Sequence, residues 1–290
     1  MYYRYDDNVL KKLQDVEKSI LYDFQCLCEK YNINYFAIGG TLIGAIRHEG
    51  FIPWDDDIDL GMLREEYDKF LAIPEEEYCD KYYLCTPEKT NEYYSIIPKF
   101  VLKNTSYVTQ LAIDSGVDEI GIFIELFIFE NVSADKKKRA NQIKKVNWVK
   151  NLHAQTVSSN IVIYDKGIIG MIKWVAKKTL SIAVKILHID SKKTNAAFLA
   201  VTNSDKETGY VAYFGDQTTE DFLSKKEELL PLEKCKFEDI TISVPHNYDA
   251  LLHNAYGDYM EIPPEEARWN QAPVKIRFPG EEYIVLRKYE

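Results

Sequence analysis

The sequence predicts a mixed α/β fold, with one central sheet flanked by helices. Short apolar runs with two-residue alternation recur between stretches of helical periodicity. Glycine and proline punctuate the boundaries between them. Apolar residues fill 46% of the 290 positions, enough for a sizeable core in one large domain or one domain with an elaborated insert.

The elements are predicted in order. Val9, Leu13, Val16, Ile20 and Phe24 recur near helical spacing, so residues 8–31 read as an amphipathic helix packed across the sheet. Residues 34–38 are short, apolar and aromatic, as a buried strand is. Gly39-Gly40 then supplies a turn, and Thr41 suits the N-cap of a short helix reaching Arg47. Pro53 and Trp54 mark a turn into a strand over 57–62. A short helix over 64–71 ends before Pro74. Strands are predicted at 82–85, 95–102 and 120–129, and 131–193 reads as helical. Residues 240–244 alternate as a strand, and 247–256 form a helix closed by Gly257.

The stretch from Gly39 to Met62, GGTLIGAIRHEGFIPWDDDIDLGM, carries the chemistry. It sets four aspartates, Asp55, Asp56, Asp57 and Asp59, within five positions. Adjacent carboxylates repel, and burying them unpaired is unfavourable; an oxygen-seeking divalent cation removes the penalty. On a strand, side chains at i and i+2 share a face about 7 Å apart. Asp57 and Asp59 therefore point together, able to hold one metal ion or a pair, while Ile58 and Leu60 enter the core. Asp55 shares that face if the extended chain reaches back past Asp56, which caps the turn. A glycine turn opening a helix presents free N–H groups to phosphate. A phosphate cradle beside a D-x-D strand points to chemistry on a nucleotide or phosphodiester.

These residues resemble the LicD family of phosphotransferases, in the nucleotidyltransferase superfamily with its polymerase-beta-like fold, a group that includes fukutin-related proteins. Gly121-Ile122-Phe123-Ile124-Glu125-Leu126-Phe127 is similar to the family's second block, with Glu125 where an aspartate is usual. Lys99 in Ile96-Ile97-Pro98-Lys99-Phe100 resembles a basic residue of an intermediate block. Lys236 to Pro245, Tyr256-Gly257-Asp258-Tyr259-Met260 and Pro263-Pro264 resemble the closing block, although Arg268-Trp269-Asn270 stands where relatives often carry a histidine. The resemblance spans roughly residues 20–130 and 210–270.

The resemblance implies transfer of a phosphorylated alcohol, foremost phosphocholine, from a CDP-activated donor to a hydroxyl of a glycan or lipid-linked glycan acceptor, with CMP leaving. Mg²⁺ or Mn²⁺, two ions, would stabilise the attacking and leaving oxygens. Asp57, Asp59 and Glu125 would hold the metal, and Glu125 would also assist deprotonation of the acceptor. Gly39, Gly40, Thr41, Arg47 and Lys99 would meet phosphate, Arg47 bidentately. His48 is a candidate acid, base or phosphate donor, set against a structural hydrogen-bonding histidine. Tyr256 or Tyr259 would stack on a base or cage a cation, set against a purely structural helix end. Transfer of ribitol phosphate or another phosphopolyol is the nearest alternative, and a non-catalytic glycan- or membrane-binding protein is the alternative of another class.

The charge is uneven. Residues 131–193 carry thirteen lysines and one arginine against three aspartates, a net of +11, which leaves −21 on the rest of a chain whose whole is −10. This defines a core over 1–130, a basic helical insert over 131–205, and a part over 206–290 that completes the catalytic domain. Within the insert, Lys173, Lys177, Ser181 and Lys185 form a polar stripe beside an otherwise apolar helix containing Trp174. Two readings stand: a helix packed on the core with its lysines outward, or residues 166–188 lying on an anionic membrane. No nucleic-acid motif accompanies the lysines, so a nucleic-acid partner is not expected. Five cysteines without a C-x-x-C point to reduced thiols, and the first residues lack the apolar segment of a signal peptide. A cytoplasmic location follows as the expectation, peripheral on the inner face of the cell membrane if the insert binds lipid.

Overall fold

The structure, a computed structural model, describes residues 3–288 except 91–92, 118, 159, 164, 203–206, 216–219 and 269. The chain opens with β1 (Tyr3–Arg4) and the long helix α1 (Asp7–Lys30). The motif stretch follows as β2 (Phe36–Ala37), α2 (Gly39–His48), β3 (Asp59–Leu63) and α3 (Arg64–Leu71). Next come β4 (Tyr82–Cys85), β5 (Lys99–Leu102), β6 (Ser106–Val108), α4 (Gln110–Ser115) and β7 (Phe123–Asn131). The basic segment holds α5 (Lys136–Val157), α6 (Gly167–Ile186) and α7 (Ser191–Thr202). The remainder supplies β8 (Tyr210–Tyr213), β9 (Ser224–Lys225), α8 (Lys226–Leu229), β10 (Glu233–Phe237), β11 (Ile240–Val244), α9 (Tyr248–Tyr256), β12 (Lys275–Arg277), β13 (Ile284–Val285) and β14 (Arg287–Lys288).

The central sheet is mixed, with order β2-β3-β7-β5-β4 and with β8 and β9 continuing from β7. β7 is its axis. It pairs in parallel with β3 from Asp59↔Glu125 to Leu63↔Phe129. On its other edge it pairs antiparallel with β5 at one end and β8 at the other. Ile124, Leu126 and Ile128 alternate into the core, which leaves Glu125 on the opposite face. A smaller sheet joins β6 to β12 and β13, so residues 275–285 close on the strand just before α4.

α1 packs its apolar stripe on this sheet. Leu10, Leu13, Ile20, Leu21, Phe24 and Leu27 are buried, and Asp6 caps the helix by accepting the Asn8 amide at 3.0 Å. Glu17 lies on the same buried stripe. Phe24 meets Tyr35, Phe70 and Phe100 with ring centroids 5.1–5.7 Å apart, locking α1 to α3 and β5. The helical segment has its own core of Val146, Val149 and Phe198, closed by Ala212 and Phe214 at the β8 edge of the sheet.

Four predicted elements change on folding. The strand predicted over 57–62 begins at Asp59, so Asp57 lies in the extended approach to it. α2 begins at Gly39 and its N-cap is Ile38, so Thr41 sits inside the first turn. The strand predicted from 95 starts at Lys99, because Pro98 cannot donate to a ladder. The continuous helix predicted over 131–193 is two helices that run into a third, with a break before Gly167 and another at His188, whose φ is +50°.

Candidate active site

The first turn of α2 and the start of β3 face each other across the motif. Thr41 Oγ1 accepts the backbone N–H of Asp59 at 2.8 Å, which fixes where β3 starts. The two glycines let carboxylates come close. A Cβ on Gly39, whose φ is +56°, would lie 3.0 Å from Asp59 Oδ2, and one on Gly40 would lie 2.4 Å from Asp55 Oδ2. The close approach expected of the glycine pair is therefore present, but the groups that make it are the protein's own aspartates. Gly39, Gly40 and Thr41 thus seat the acidic run.

The three consecutive aspartates part company. Asp56 is buried and accepts three hydrogen bonds, from Tyr5 Oη at 3.0 Å, Tyr107 Oη at 3.3 Å and the Gln271 amide at 3.0 Å. It is a tie between the N-terminal segment, β6 and the segment before β12, where the sequence suggested only a turn cap. Asp55 packs on Gly40, and its carbonyl accepts Gln14 Nε2 at 3.0 Å. Asp57 opens into a cavity of about 480 Å³.

Glu125 enters the same cavity from β7. The register places its Cα opposite Asp59 on one side and Lys99 on the other. The Lys99 ammonium is buried, forms an ion pair with Glu125, and stands 3.5 Å from the centroid of the Phe123 ring. Tyr94 and Tyr107 complete much of the aromatic lining. Glu17 also reaches this lining, and its Oε2 is buried without a hydrogen-bond partner.

The electrostatics follow from this crowding. Loss of water, then Asp59, Asp55, Asp56 and Glu125, push the Asp57 carboxyl well above the usual carboxylate range. Asp59 is pushed well up by burial and by Glu125 and Asp55, with Lys99 acting against the shift. Burial and Asp56 hold Asp55 up at about 7. Glu17 is raised well above its ordinary value by burial, then by Asp56, Asp55 and Asp59.

Asp59 Oδ1 is buried and has no hydrogen-bond partner. Unpaired carboxylate oxygens among other carboxylates are an unfavourable arrangement in a protein alone, and a good one for a hard cation. Asp57, Asp59 and Glu125 are thus chemically suited to a divalent metal. Among the described residues, no three acidic, imidazole or thiol groups converge on one point in this conformation, and Glu125 is turned onto Lys99.

Arg47 and His48 do not line the cavity. Arg47 donates from Nη1 to the carbonyls of Tyr259 and Glu261 and from Nε to His48 Nε2 at 3.0 Å. His48 meets Trp54 edge-on at 6.4 Å, and burial, then Arg47, lower its pKa. Arg47 thus braces the segment after α9, with His48 as its neighbour. Tyr259 is buried and donates to Asp249 at 2.7 Å, again structural. Tyr256 is half exposed, with its Oη above Gly39. Arg268 stacks on Trp54 at 4.9 Å, and Trp269 lies outside the described residues.

Glu17, Tyr107, Tyr94 and Gln271 were not singled out from the sequence. Glu17 had a readable signal: an acid on the buried stripe of an amphipathic helix. The other three become neighbours only through tertiary structure.

With this geometry in view, the comparisons are direct. Residues 32–130 match the LicD/FKTN/FKRP nucleotidyltransferase domain. Over 288 residues the chain is 29% identical to the lipopolysaccharide cholinephosphotransferase LicD of Haemophilus influenzae, covering 95% of this chain and 98% of that protein. A 38-residue stretch is 47% identical to the human ribitol 5-phosphate transferase FKRP, 13% of this chain and 8% of that one. The likeness makes this a LicD-like transferase of phosphate-containing groups. Residues 32–130 form a LicD/FKTN/FKRP nucleotidyltransferase domain, and the chain is LicD-like along nearly its whole length.

Proposed function

We propose that this chain transfers phosphocholine from CDP-choline to a hydroxyl of a cell-surface glycan precursor and releases CMP, on a polymerase-beta-like nucleotidyltransferase core. The observation that carries the reading is the convergence of Asp57, Glu125 and Lys99 on one cavity beside the unpartnered Asp59. Likeness along nearly the whole of a cholinephosphotransferase supports it. An acidic cavity with aromatic walls also suits a quaternary ammonium better than an uncharged polyol.

Asp57 and Asp59 would hold Mg²⁺ or Mn²⁺, and Glu125, which lines the same cavity, would be the third ligand. A bound divalent ion supplies neutralisation of charge on the phosphate oxygens. The acceptor hydroxyl gives its proton to the Glu125 carboxylate as its oxygen bonds to the phosphorus of the phosphocholine group. The bond from that phosphorus to the CMP oxygen breaks, and CMP leaves with the electron pair. Lys99 holds Glu125 close to the sheet through their ion pair. The tyrosine and phenylalanine walls exclude water from the reacting phosphorus.

A panel of CDP-choline, CDP-ribitol, CDP-glycerol and CDP-ethanolamine tests this by CMP release. CDP-choline should lead, and chelation should abolish release. Asp57→Asn and Asp59→Asn should each remove turnover, and Glu125→Gln should lower it by about 100-fold or more. Equal release without divalent metal would sink the metal reading. Preference for CDP-ribitol would transfer the assignment to the second reading, which the likeness to a ribitol 5-phosphate transferase favours over a short stretch.

A further inference from the structure

The helix α6 is packed inside out. Gly170 and Val184 are its buried positions, and Lys177 and Ser181 of the polar stripe are half-buried beside them. Lys177 donates to the Val162 carbonyl at 3.1 Å, and Lys173 pairs with Asp165 at 2.7 Å. The middle of the polar stripe is therefore turned toward the protein, while Lys173 and Lys185 at its ends stay exposed. The opposite face carries Ile168, Met171, Ile172, Val175, Ile182 and Ile186 at three- and four-residue spacing, each 49–74% exposed. The core-packing reading has apolar residues inward, whereas α6 turns most of its apolar residues outward.

An apolar face this long on a charged chain marks an interaction surface. Its flanks favour one occupant. Lys178 and Lys185 are exposed beside the apolar residues, and Lys166 precedes them. Trp174, 47% exposed, sits at the edge of the face as an interfacial aromatic does. The surrounding segment concentrates +11 of charge in a chain of net −10. Among the described residues, no helix is long and apolar enough to cross a membrane.

We propose that α6 is an in-plane membrane anchor, laying Ile168, Ile172, Val175, Ile182 and Ile186 into the headgroup boundary of an anionic bilayer while its lysines meet lipid phosphates. At 20 residues the helix spans about 30 Å along the surface. The anchor is separate from the carboxylate cavity and goes beyond the transfer reaction.

Co-sedimentation of the full chain with phosphatidylcholine vesicles, with and without phosphatidylglycerol, tests the proposal without donor or metal. Binding should appear with the anionic lipid and weaken with added salt. Ile172→Glu/Val175→Glu should abolish it while circular dichroism stays unchanged, because both side chains already face water. Lys178→Gln/Lys185→Gln should weaken it several-fold. Absence of binding to anionic vesicles at low salt overturns the proposal. So does binding that survives Ile172→Glu/Val175→Glu, or a self-association that this variant removes in a chain that binds no vesicle. CMP release in solution is read separately, so either proposal can fail alone.

Discussion

Asp56 and Asp57 are adjacent and opposite in purpose. Asp56 satisfies three donors from three distant segments, whereas Asp57 stands among carboxylates and is pushed well above its ordinary range by burial and by Asp59. Asp56→Asn keeps the shape but turns donor against donor, and should lower unfolding free energy by about 2 kcal/mol or more. Asp57→Asn removes a repelled charge, and should unfold at the same urea concentration as the parent or a higher one while losing turnover. Urea titrations of the two variants check this contrast. A stability loss in Asp57→Asn as large as in Asp56→Asn would mean that the two aspartates have been assigned the wrong roles.

At the scale of elements, local signals were readable and cross-chain pairings were not. The stripe of α1 fixed its face, and 240–244 showed its strand by alternation. The acidic run announced a site, because four aspartates in five positions demand a partner. The parallel register that sets Asp59 beside Glu125 left no local trace, since it joins residues 66 positions apart. The partners of Arg47 left no local trace for the same reason: its carbonyls lie at 259 and 261, and guanidinium chemistry suits carbonyls as well as phosphate. The inversion of α6 was invisible because periodicity shows that a helix has two faces and not which one is covered.

The insert is tied to the core through an element-scale contact that titrates. His153 on α5 is buried, with Nδ1 2.9 Å from Thr194 Oγ1 on α7 and Nε2 2.7 Å from the Tyr93 carbonyl. Burial lowers its pKa below the ordinary value near 6.5. The unfolded chain therefore takes up this proton first, and the stability His153 contributes falls as pH drops through that value toward the folded one. The stability difference between about pH 7.5 and about pH 5.5 should be larger in the parent than in His153→Gln. Denaturant titrations at the two pH values measure it, and identical differences would exclude His153 as the titrating group.

Across the whole molecule the carboxylate cluster acts in the opposite direction. Asp55 is held at about 7, and Glu17, Asp57 and Asp59 lie well above their ordinary values. The folded state thus binds more protons than the unfolded one, and the cluster's contribution to stability falls as pH rises from about 4 through about 7. A divalent cation that binds only the folded chain offsets this loss. The rise in melting temperature on adding Mg²⁺ to metal-free chain should grow with pH, and Asp59→Asn should flatten it. A pH-independent rise, or one that Asp59→Asn leaves intact, would place the ion elsewhere.

The tie at Asp56 has a consequence for how the molecule comes into being. Its three donors come from residues 5, 107 and 271. On a ribosome the first two are made long before the last. Until Gln271 emerges, the aspartate beside the cavity stands with one of its bonds unmade. A nascent or prematurely stopped chain that lacks residue 271 thus carries the acidic run without its finished setting.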